Sequence, residues 1–231
     1  MSRARARIIA GAGLTAGLLA ASYPFLFRNK CLTWGATQDD VARNIPGDEL
    51  LPDADEVTTR AITIAAPPDC VWPWLIQMGS GRGGAYTYDW IENLFGLNMH
   101  SANEILPQFQ DVRLGDELRT GSSGPAMRVA VFEPERVFAV QTGDGNWVWI
   151  FALYQENGIT RLVSRNRIRV PAGSAIPRAA WALLMEPGSL VMERKMLLGI
   201  KERAERLARE HGLVADAEPA VNNLAQHTRQ S

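Results

Sequence analysis

The alternation of apolar and polar positions predicts how the folded part of the chain begins. Residues 58–64 read as a β-strand, and a Pro-Pro pair at 67–68 ends that strand. Apolar positions then recur at helical spacing over residues 71–76, and a second short helix is expected over residues 88–94, ended by Gly96. One strand followed by two helices is therefore the expected opening.

The second half of the chain predicts an antiparallel sheet followed by one long helix. Asn157-Gly158 is a strong hairpin signal, and Glu133-Pro134-Glu135 predicts another turn. A long helix is expected from Ser189 to His211, after an irregular stretch, 172–187, that could hold a short helix near 179–184. This layout is typical of the α+β class. The strands are expected over residues 113–119, 127–132, 136–142, 146–154 and 160–170.

These elements divide the chain into four parts. Residues 1–28 are an apolar N-terminal segment, and residues 29–57 are an acidic connector expected to pack on the domain. Residues 58–212 form the domain itself. Residues 213–231 are polar and lack aromatic side chains, so we expect them to be disordered.

The apolar N-terminal run indicates a membrane segment. Residues 8–27 carry no charge, and cationic residues stand on both sides of them. Twenty residues of helix span about 30 Å, the thickness of a bilayer core. A single-span anchor, with the N-terminus in the cytoplasm, is favoured; a cleaved signal peptide and a buried soluble helix stay open.

Composition excludes some functions. The chain has 231 residues and a net charge of −1, which argues against nucleic-acid binding. Its two cysteines and three scattered histidines form no metal-ligand spacing, so neither a metal nor a cofactor is expected. Protein partners are left open.

A glycine-rich loop at residues 79–84 contains the pattern G-x-G-x-x-G. The residues before it look helical, whereas a dinucleotide site needs a preceding strand, so we reject nucleotide binding. Arg82 within the loop could bind an anionic ligand group, or it could pair with Asp89 or Glu92.

The segment after this loop holds a dense polar and aromatic cluster. Tyr86 is a candidate ligand contact, and Asp89, Glu92 and Asn93 share one face of the predicted helix. Glu92 could act as a general acid or base, or it could be solvated or paired with an arginine.

Glu193 interrupts the apolar face of the last helix, so a buried carboxylate with a partner is expected. It is a candidate for catalysis and for ligand contact. In the strand at 160–170, arginines alternate onto one side. If that side faces the helix, Arg165 or Arg167 could meet Glu193; if not, the arginines are a solvated face and Ser164 and Asn166 point inward. A fold-specifying ion pair is the alternative to a ligand contact.

Alternation in the strand at 146–154 places aromatic side chains on one side, so Trp149 could line an apolar ligand cavity or simply pack in the core. Because that strand is apolar on both faces, it is expected to be central and covered twice. The one-sided set comprises Trp147, Trp149, Phe151 and Leu153.

Several longer motifs carry a family resemblance. The chain reads WGAT at 34–37, PGDEL at 46–50, VWPWLIQMGSGRGGAYTYDWIENLFG at 71–96 and MERKMLLGIK at 192–201. Over residues 31–206 it resembles a membrane-associated bacterial branch of the SRPBCC superfamily (START-like, polyketide cyclase-like). That resemblance implies a helix-grip fold, in which an antiparallel sheet wraps the long C-terminal helix and leaves a pocket between them.

The resemblance also shapes the functional expectation. A hydrophobic or amphipathic small molecule, such as a lipid, is expected in the pocket under the C-terminal helix, oriented by Arg82, Arg165 and Glu193. Two alternatives stay open: an aromatase/cyclase-type enzyme using the same cavity, and a structural or partner-binding membrane protein with a filled core.

Overall fold

A computed structural model describes residues 27–94, 96–119, 126–170 and 178–213. The helices are α1 (Arg28–Leu32), α2 (Gln38–Ala42), α3 (Pro68–Ile76), α4 (Asp89–Leu94) and α5 (Arg178–Glu210). The strands are β1 (Glu56–Ile64), β2 (Glu117–Arg119), β3 (Ala126–Glu133), β4 (Val137–Thr142), β5 (Trp147–Glu156) and β6 (Ile159–Ile168).

All six strands form one antiparallel sheet in the order β1-β6-β5-β4-β3-β2. Strands β2 to β6 follow one another as hairpins. Strand β1 forms one edge of the sheet and pairs with β6 from Glu56↔Ile168 to Ile64↔Thr160. The predicted antiparallel sheet with a long C-terminal helix is confirmed. The central position predicted for β5 is confirmed as well.

One face of the sheet, the helix side, packs against α3 and α5. Its core joins Phe151 and Leu162 of the sheet to Trp74 of α3 and to Leu197 and Ile200 of α5, all of them buried. Pro68 stands at the start of α3, where its missing N–H costs nothing.

The opposite face, the connector side, is covered by residues 29–57. Ile45 and Leu51 of this connector pack on Val148 and Ile150 of β5, and all four are buried. Alternation along β5 thus supplies apolar side chains to two separate cores, which explains why both faces of that strand are apolar.

Gly35 lets the connector run directly along β1, the edge strand. The amide of Ala61 donates to the carbonyl of Trp34 at 3.1 Å. Gly35 has φ +71°, and a Cβ there would overlap the carbonyl oxygen of Ala61, so only glycine fits. The edge of the sheet is therefore covered by the chain itself.

Two predicted elements differ from the structure. The strand expected over 113–119 is only Glu117–Arg119, because the residues before it form a turn in which the amide of Asp116 donates to the carbonyl of Arg113. The last helix begins at Arg178 and continues through Pro187, where the irregular stretch was expected. Proline removes one backbone donor, and the buried Glu186 fixes the helix beside it on Arg28.

The predicted anchor, 8–27, lies outside the described residues except for Phe27, and so does the predicted disordered tail except for Leu213. Within the described ranges, no helix is both long enough and apolar enough to cross a bilayer.

Candidate functional site

Glu193 lies at the centre of a buried polar network on the helix side of the sheet. Its side chain is 7% exposed and forms an ion pair with Arg60 of β1. Ser164 Oγ donates to Glu193 Oε1 at 2.6 Å, and Asn166 Nδ2 donates to Oε2 at 3.2 Å. We call Arg60, Glu193, Ser164 and Asn166 the helix-side network.

Arg60 is the fully buried cation of this network. Its Nε donates to the carbonyl of Cys31 in α1 at 3.0 Å, and its Nη2 donates to Ser189 Oγ at 2.9 Å. The guanidinium therefore joins β1, α1 and α5, and Glu193 balances its charge. A charge so deeply buried needs such a partner.

Two tryptophans of β5 extend the network towards solvent. Trp149 Nε1 donates to Ser164 Oγ and Trp147 Nε1 to Asn166 Oδ1, both at 2.9 Å. The two indoles stack with centroids 5.8 Å apart and an interplanar angle of 20°. Both are only half-buried and form what we call the tryptophan wall. The wall presents an apolar surface with its polar N–H groups already fixed.

Opposing influences act on the Glu193 carboxyl. Burial raises its pKa above the ordinary value, while Arg60, Ser164 and Asn166 act in the other direction. Such a group can hold a negative charge beside a bound polar group, or exchange a proton with it.

Arg165 points to the connector side, away from Glu193. It is 3% exposed, and all its hydrogen bonds go to β1 or to the connector. Of the two orientations left open, the one with Ser164 and Asn166 inward is the observed one, but the expected solvated arginine face is wrong because the connector buries it. The acceptors are Thr59 Oγ1, Asp48 Oδ2 and the carbonyls of Asp40, Val41 and Arg43, at 2.6–3.1 Å.

The neighbouring arginines of β6 bind the connector in the same way. Arg167 contacts Asp48 and the carbonyls of Leu51 and Pro52. Arg161 Nη2 lies 2.6 Å from Asp40 Oδ2. Burial alone would raise the pKa of Asp40, but hydrogen bonds from Arg161 and from Thr37 lower it below the ordinary value.

The glycine-rich loop is a packing device. It follows helix α3, and Gly79 and Gly84 hydrogen-bond to each other across it. A Cβ on Gly84 would come within 2.7 Å of the backbone of His100, so the loop and the segment at 100–102 need glycine to approach. Loop geometry accounts for this glycine without any phosphate.

Arg82 is engaged by this local structure. Its Nη2 donates to the carbonyls of Ile76 at 2.9 Å and Phe109 at 3.1 Å, and the guanidinium lies 4.5 Å from the Phe109 ring centroid. Asp89, one of its expected partners, accepts both hydrogen bonds of Ser101 instead. Arg82 thus fixes the end of α3.

Tyr86 and Glu92 lie near this loop, apart from the helix-side network. Tyr86 is buried and donates to the carbonyl of Trp74 at 2.9 Å, and burial raises its pKa. Burial also raises the pKa of Glu92, whose Oε2 is buried with no hydrogen-bond partner among the described residues. The predicted candidates therefore fall in three places: Glu193 and Trp149 meet through Ser164, Arg165 lies on the connector side, and Arg82, Tyr86 and Glu92 lie near the loop.

Two grooves border the connector. One, of about 950 Å³, is lined by Asp40, Arg43 and Tyr154, and the other, of about 460 Å³, by Asp48, Val57 and Arg167. Neither of these lies between the sheet and α5, where the resemblance implied a pocket. On the helix side, the tryptophan wall is partly accessible to solvent.

Sequence reasoning missed Arg60. The signal was available, because Arg60 alternates with Ile62 and Ile64 and so shares their apolar side of β1. A cation on the apolar side of a strand predicts a buried anion, and Glu193 was the one acidic interruption found in the last helix.

Comparison with known proteins gives structural matches only. No family model and no curated protein sequence matches the chain. Among solved structures, a Polyketide_cyc-like protein from Corynebacterium glutamicum has a TM-score of 0.39 and 19% identity, over 69% of this chain and 97% of its own. A protein from Chromobacterium violaceum gives 0.40 and 14%, over 65% and 98%. The Aha1 dimer from Colwellia psychrerythraea gives 0.37 and 16%, over 65% and 96%. The chain has the sheet order and helix placement of the helix-grip fold that its resemblance to the SRPBCC superfamily predicts.

Proposed function

We propose that this protein binds a hydrophobic or amphipathic small molecule against the tryptophan wall, with the polar group of the ligand at the helix-side network. The observation that carries the proposal is that Trp147 and Trp149 are only partly buried while their indole N–H groups bond to the partners of a buried carboxylate. An apolar surface thus adjoins polar groups that are already positioned.

The energetics favour such a ligand. Covering apolar surface contributes about 25 cal/mol per Å², and aromatic side chains offer large contact areas at little entropic cost. The helix-side network would supply the few oriented polar contacts that give a binding site its specificity.

The proposal uses Glu193 and Trp149 and adds Arg60 and Trp147. It does not use Arg165, which lies on the other face of the sheet, or Arg82 and Tyr86, which hold the loop near α3. Arg82 and Tyr86 lie near the glycine-rich loop, apart from the helix-side network.

Membrane anchoring by residues 8–27 is the second part of the proposal. It is supported by the 20-residue uncharged run and the cationic residues on both sides of it. An anchored domain would meet its ligand at a lipid surface, where amphipathic molecules concentrate.

The binding proposal is tested by native mass spectrometry of the full-length chain, released from detergent after incubation with dodecanoate. We expect a discrete dodecanoate adduct that is lost in Trp149→Leu and kept in the matched control Trp90→Leu, since Trp90 is exposed on α4. If no adduct forms, or if both variants keep it, the tryptophan wall is not the site, and the partner-binding alternative gains.

An aromatase/cyclase-type activity is the second candidate, and the burial that raises the pKa of Glu193 favours it. Such an enzyme would use Glu193 to hand a proton to a ligand folded against the wall. Turnover of a polyketone probe that disappears in Glu193→Gln, while dodecanoate still binds, would establish catalysis; binding without turnover supports the ligand-binding function alone.

A further inference from the structure

The first half of α5 carries apolar side chains that have no cover in the described structure. Leu183 is 38% and Val191 is 53% exposed, and Met185 is exposed too. Leu183, Pro187 and Val191 follow one another at intervals of four, so they lie along one side of the helix. Val191 is two residues from Glu193 and points to nearly the opposite side, away from the sheet.

The N-terminal segment joins the domain at the same place. Arg28 Nε lies 2.9 Å from Glu186 Oε1 and 3.1 Å from Oε2, and Glu186 is almost fully buried. Phe27, which ends the uncharged run 8–27, is half-exposed directly before this contact. The ion pair therefore fixes Arg28, and with it the neighbouring Phe27, beside the first half of α5.

Charge changes sharply along the outer side of α5. After Val191 come Arg194, which is exposed, and Lys195, while Lys30 is exposed in α1. An apolar stripe bordered by cations is the pattern of helices that lie in the interface of a membrane, where cations meet anionic headgroups.

We propose that the outer side of α5 from Leu183 to Val191 lies on the lipid bilayer, next to the point where residues 8–27 enter it. This inference rests on the proposed anchoring and adds to it the orientation of the domain. The helix-side network then lies on the inner side of the helix segment that touches lipid, so a ligand taken from the bilayer has a short path to the tryptophan wall.

A second exposed apolar surface serves as the competitor. Trp90 is 70% and Leu94 is 77% exposed on α4. That helix lies near the other end of α5, because Asp89 binds Ser101 and Arg203 of α5 binds the carbonyl of Ala102. From Val191 to Arg203, α5 runs about 18 Å, so one flat bilayer contact at Val191 does not require contact at Leu94.

The test uses the full-length chain in vesicles of phosphatidylcholine and phosphatidylglycerol. In a background of Cys31→Ala and Cys70→Ala, which removes two buried thiols, a single cysteine at position 191 carries a fluorophore. Iodide quenching reports its exposure to water. Ile159→Cys is the matched control, since Ile159 is 42% exposed at the first position of β6; its neighbour Thr160 pairs with Ile64, and Ala65 binds Glu205 near the C-terminal end of α5.

We expect the vesicles to reduce quenching at Val191→Cys to less than half, and to leave quenching at Ile159→Cys and Leu94→Cys unchanged. Flotation of the vesicles is measured in the same samples. If the chain floats and Val191→Cys is quenched as strongly as Ile159→Cys, or Leu94→Cys is protected instead, the orientation is wrong and the anchor stands. If the chain does not float, the anchoring itself is overturned, and the orientation with it.

A charge reversal adds an independent arm. Arg194→Glu with Lys195→Glu leaves the apolar stripe intact but removes its cationic border. We expect quenching at Val191→Cys to rise in vesicles that contain phosphatidylglycerol and to stay unchanged in phosphatidylcholine alone. Equal quenching in both vesicle types, with and without the reversal, would overturn the proposed contact of these cations with anionic lipid.

Discussion

The two faces of one strand, β6, use polar residues in opposite ways. Towards the connector, Arg165 donates hydrogen bonds to backbone carbonyls and to Asp48, and its side chain is nearly inaccessible to solvent. Towards α5, Ser164 and Asn166 bind one carboxylate and two partly buried indoles. On the connector side, the hydrogen bonds of Arg165 all go to other groups of the chain. On the helix side, the network leads to the tryptophan wall, which a second molecule can reach.

This difference separates structural polar groups from candidate functional ones. A buried arginine with every donor satisfied by groups of the chain itself fixes where the connector lies. A buried ion pair linked to partly exposed tryptophans is a better candidate for ligand contact. Burial of a polar network alone therefore does not identify a functional site. The useful criterion is whether the outermost residues of the network contact only the protein or are also open to a ligand.

The largest expected effect comes from the connector side. Arg165→Met removes one of the donors of Asp48, which keeps Arg167, and takes the Arg165 donor from three backbone carbonyls, and we expect the free energy of unfolding to fall by about 4 kcal/mol. Urea unfolding measures the change. Arg113→Ala is the control, because the Arg113–Asp111 pair is exposed, and it should leave the free energy of unfolding nearly unchanged. Equal losses would mean that the arginines do not hold the connector.

Removing the charge of Glu193 should have the next largest effect. Glu193→Gln leaves Arg60 buried without a counter-charge, and we expect a loss of about 3 kcal/mol in the free energy of unfolding. The double variant Arg60→Met with Glu193→Leu removes both charges and should recover most of that loss.

The double variant also sharpens the comparison of the two faces. It should fold yet fail to retain dodecanoate in native mass spectrometry, because the polar end of the proposed site is gone. The equivalent pair Arg165→Met with Asp48→Leu should not recover stability, because the carbonyls around Arg165 stay unsatisfied. Recovery on both faces, or unchanged retention, would contradict the distinction.

Gly35→Ala should cost about 2 kcal/mol, combining a left-handed backbone with the overlap on the carbonyl of Ala61. Gly158→Ala is the matched control: its φ is +78°, but nothing lies near the added Cβ, so only about 1 kcal/mol is expected. Thermal unfolding of both variants isolates the contribution of the connector's close approach to β1. If the two variants lose the same stability, the approach of Gly35 to the carbonyl of Ala61 is not a tight contact.

The smallest effect is a pH dependence on the connector side. The pKa of Asp40 is lowered in the folded protein, so its contribution to stability is present above the ordinary value of 3.8 and is lost as the pH falls below it, through the folded-state pKa. Wild-type stability should therefore decline more steeply than that of Asp40→Asn between about pH 4 and pH 3. If the urea midpoints of the wild type and of Asp40→Asn fall in parallel over this pH range, the ionisation of Asp40 does not contribute to the pH dependence of stability.

Local patterns predicted the sheet well. Period-two alternation and the Asn157-Gly158 turn located β5 and β6, and the double apolar face of β5 correctly indicated two covers. The interruption at Glu193 correctly indicated a buried carboxylate. Such features are set by residues that lie close together in the sequence, so a single sequence is enough to predict them.

Pairings distant in sequence were harder to predict. Arg60 meets Glu193 across 133 residues, and alternation alone did not decide which face of β6 carried its arginines. That choice depends on the connector, whose Asp40 and Asp48 supply acceptors, and no periodicity revealed it. Pro187 was read as a helix boundary, yet α5 continues through it.

The ion pair between Arg165 and Asp48 joins residues that are 117 positions apart in the chain, so its two partners are synthesised at different times. At roughly 5 to 20 residues per second, synthesis delivers β6 several seconds after the connector has left the ribosome. Ile45 and Leu51 pack on β5, so they stay uncovered until that strand has been made. The connector can form its last contacts only after β6, the last strand of the sheet in chain order, has been synthesised.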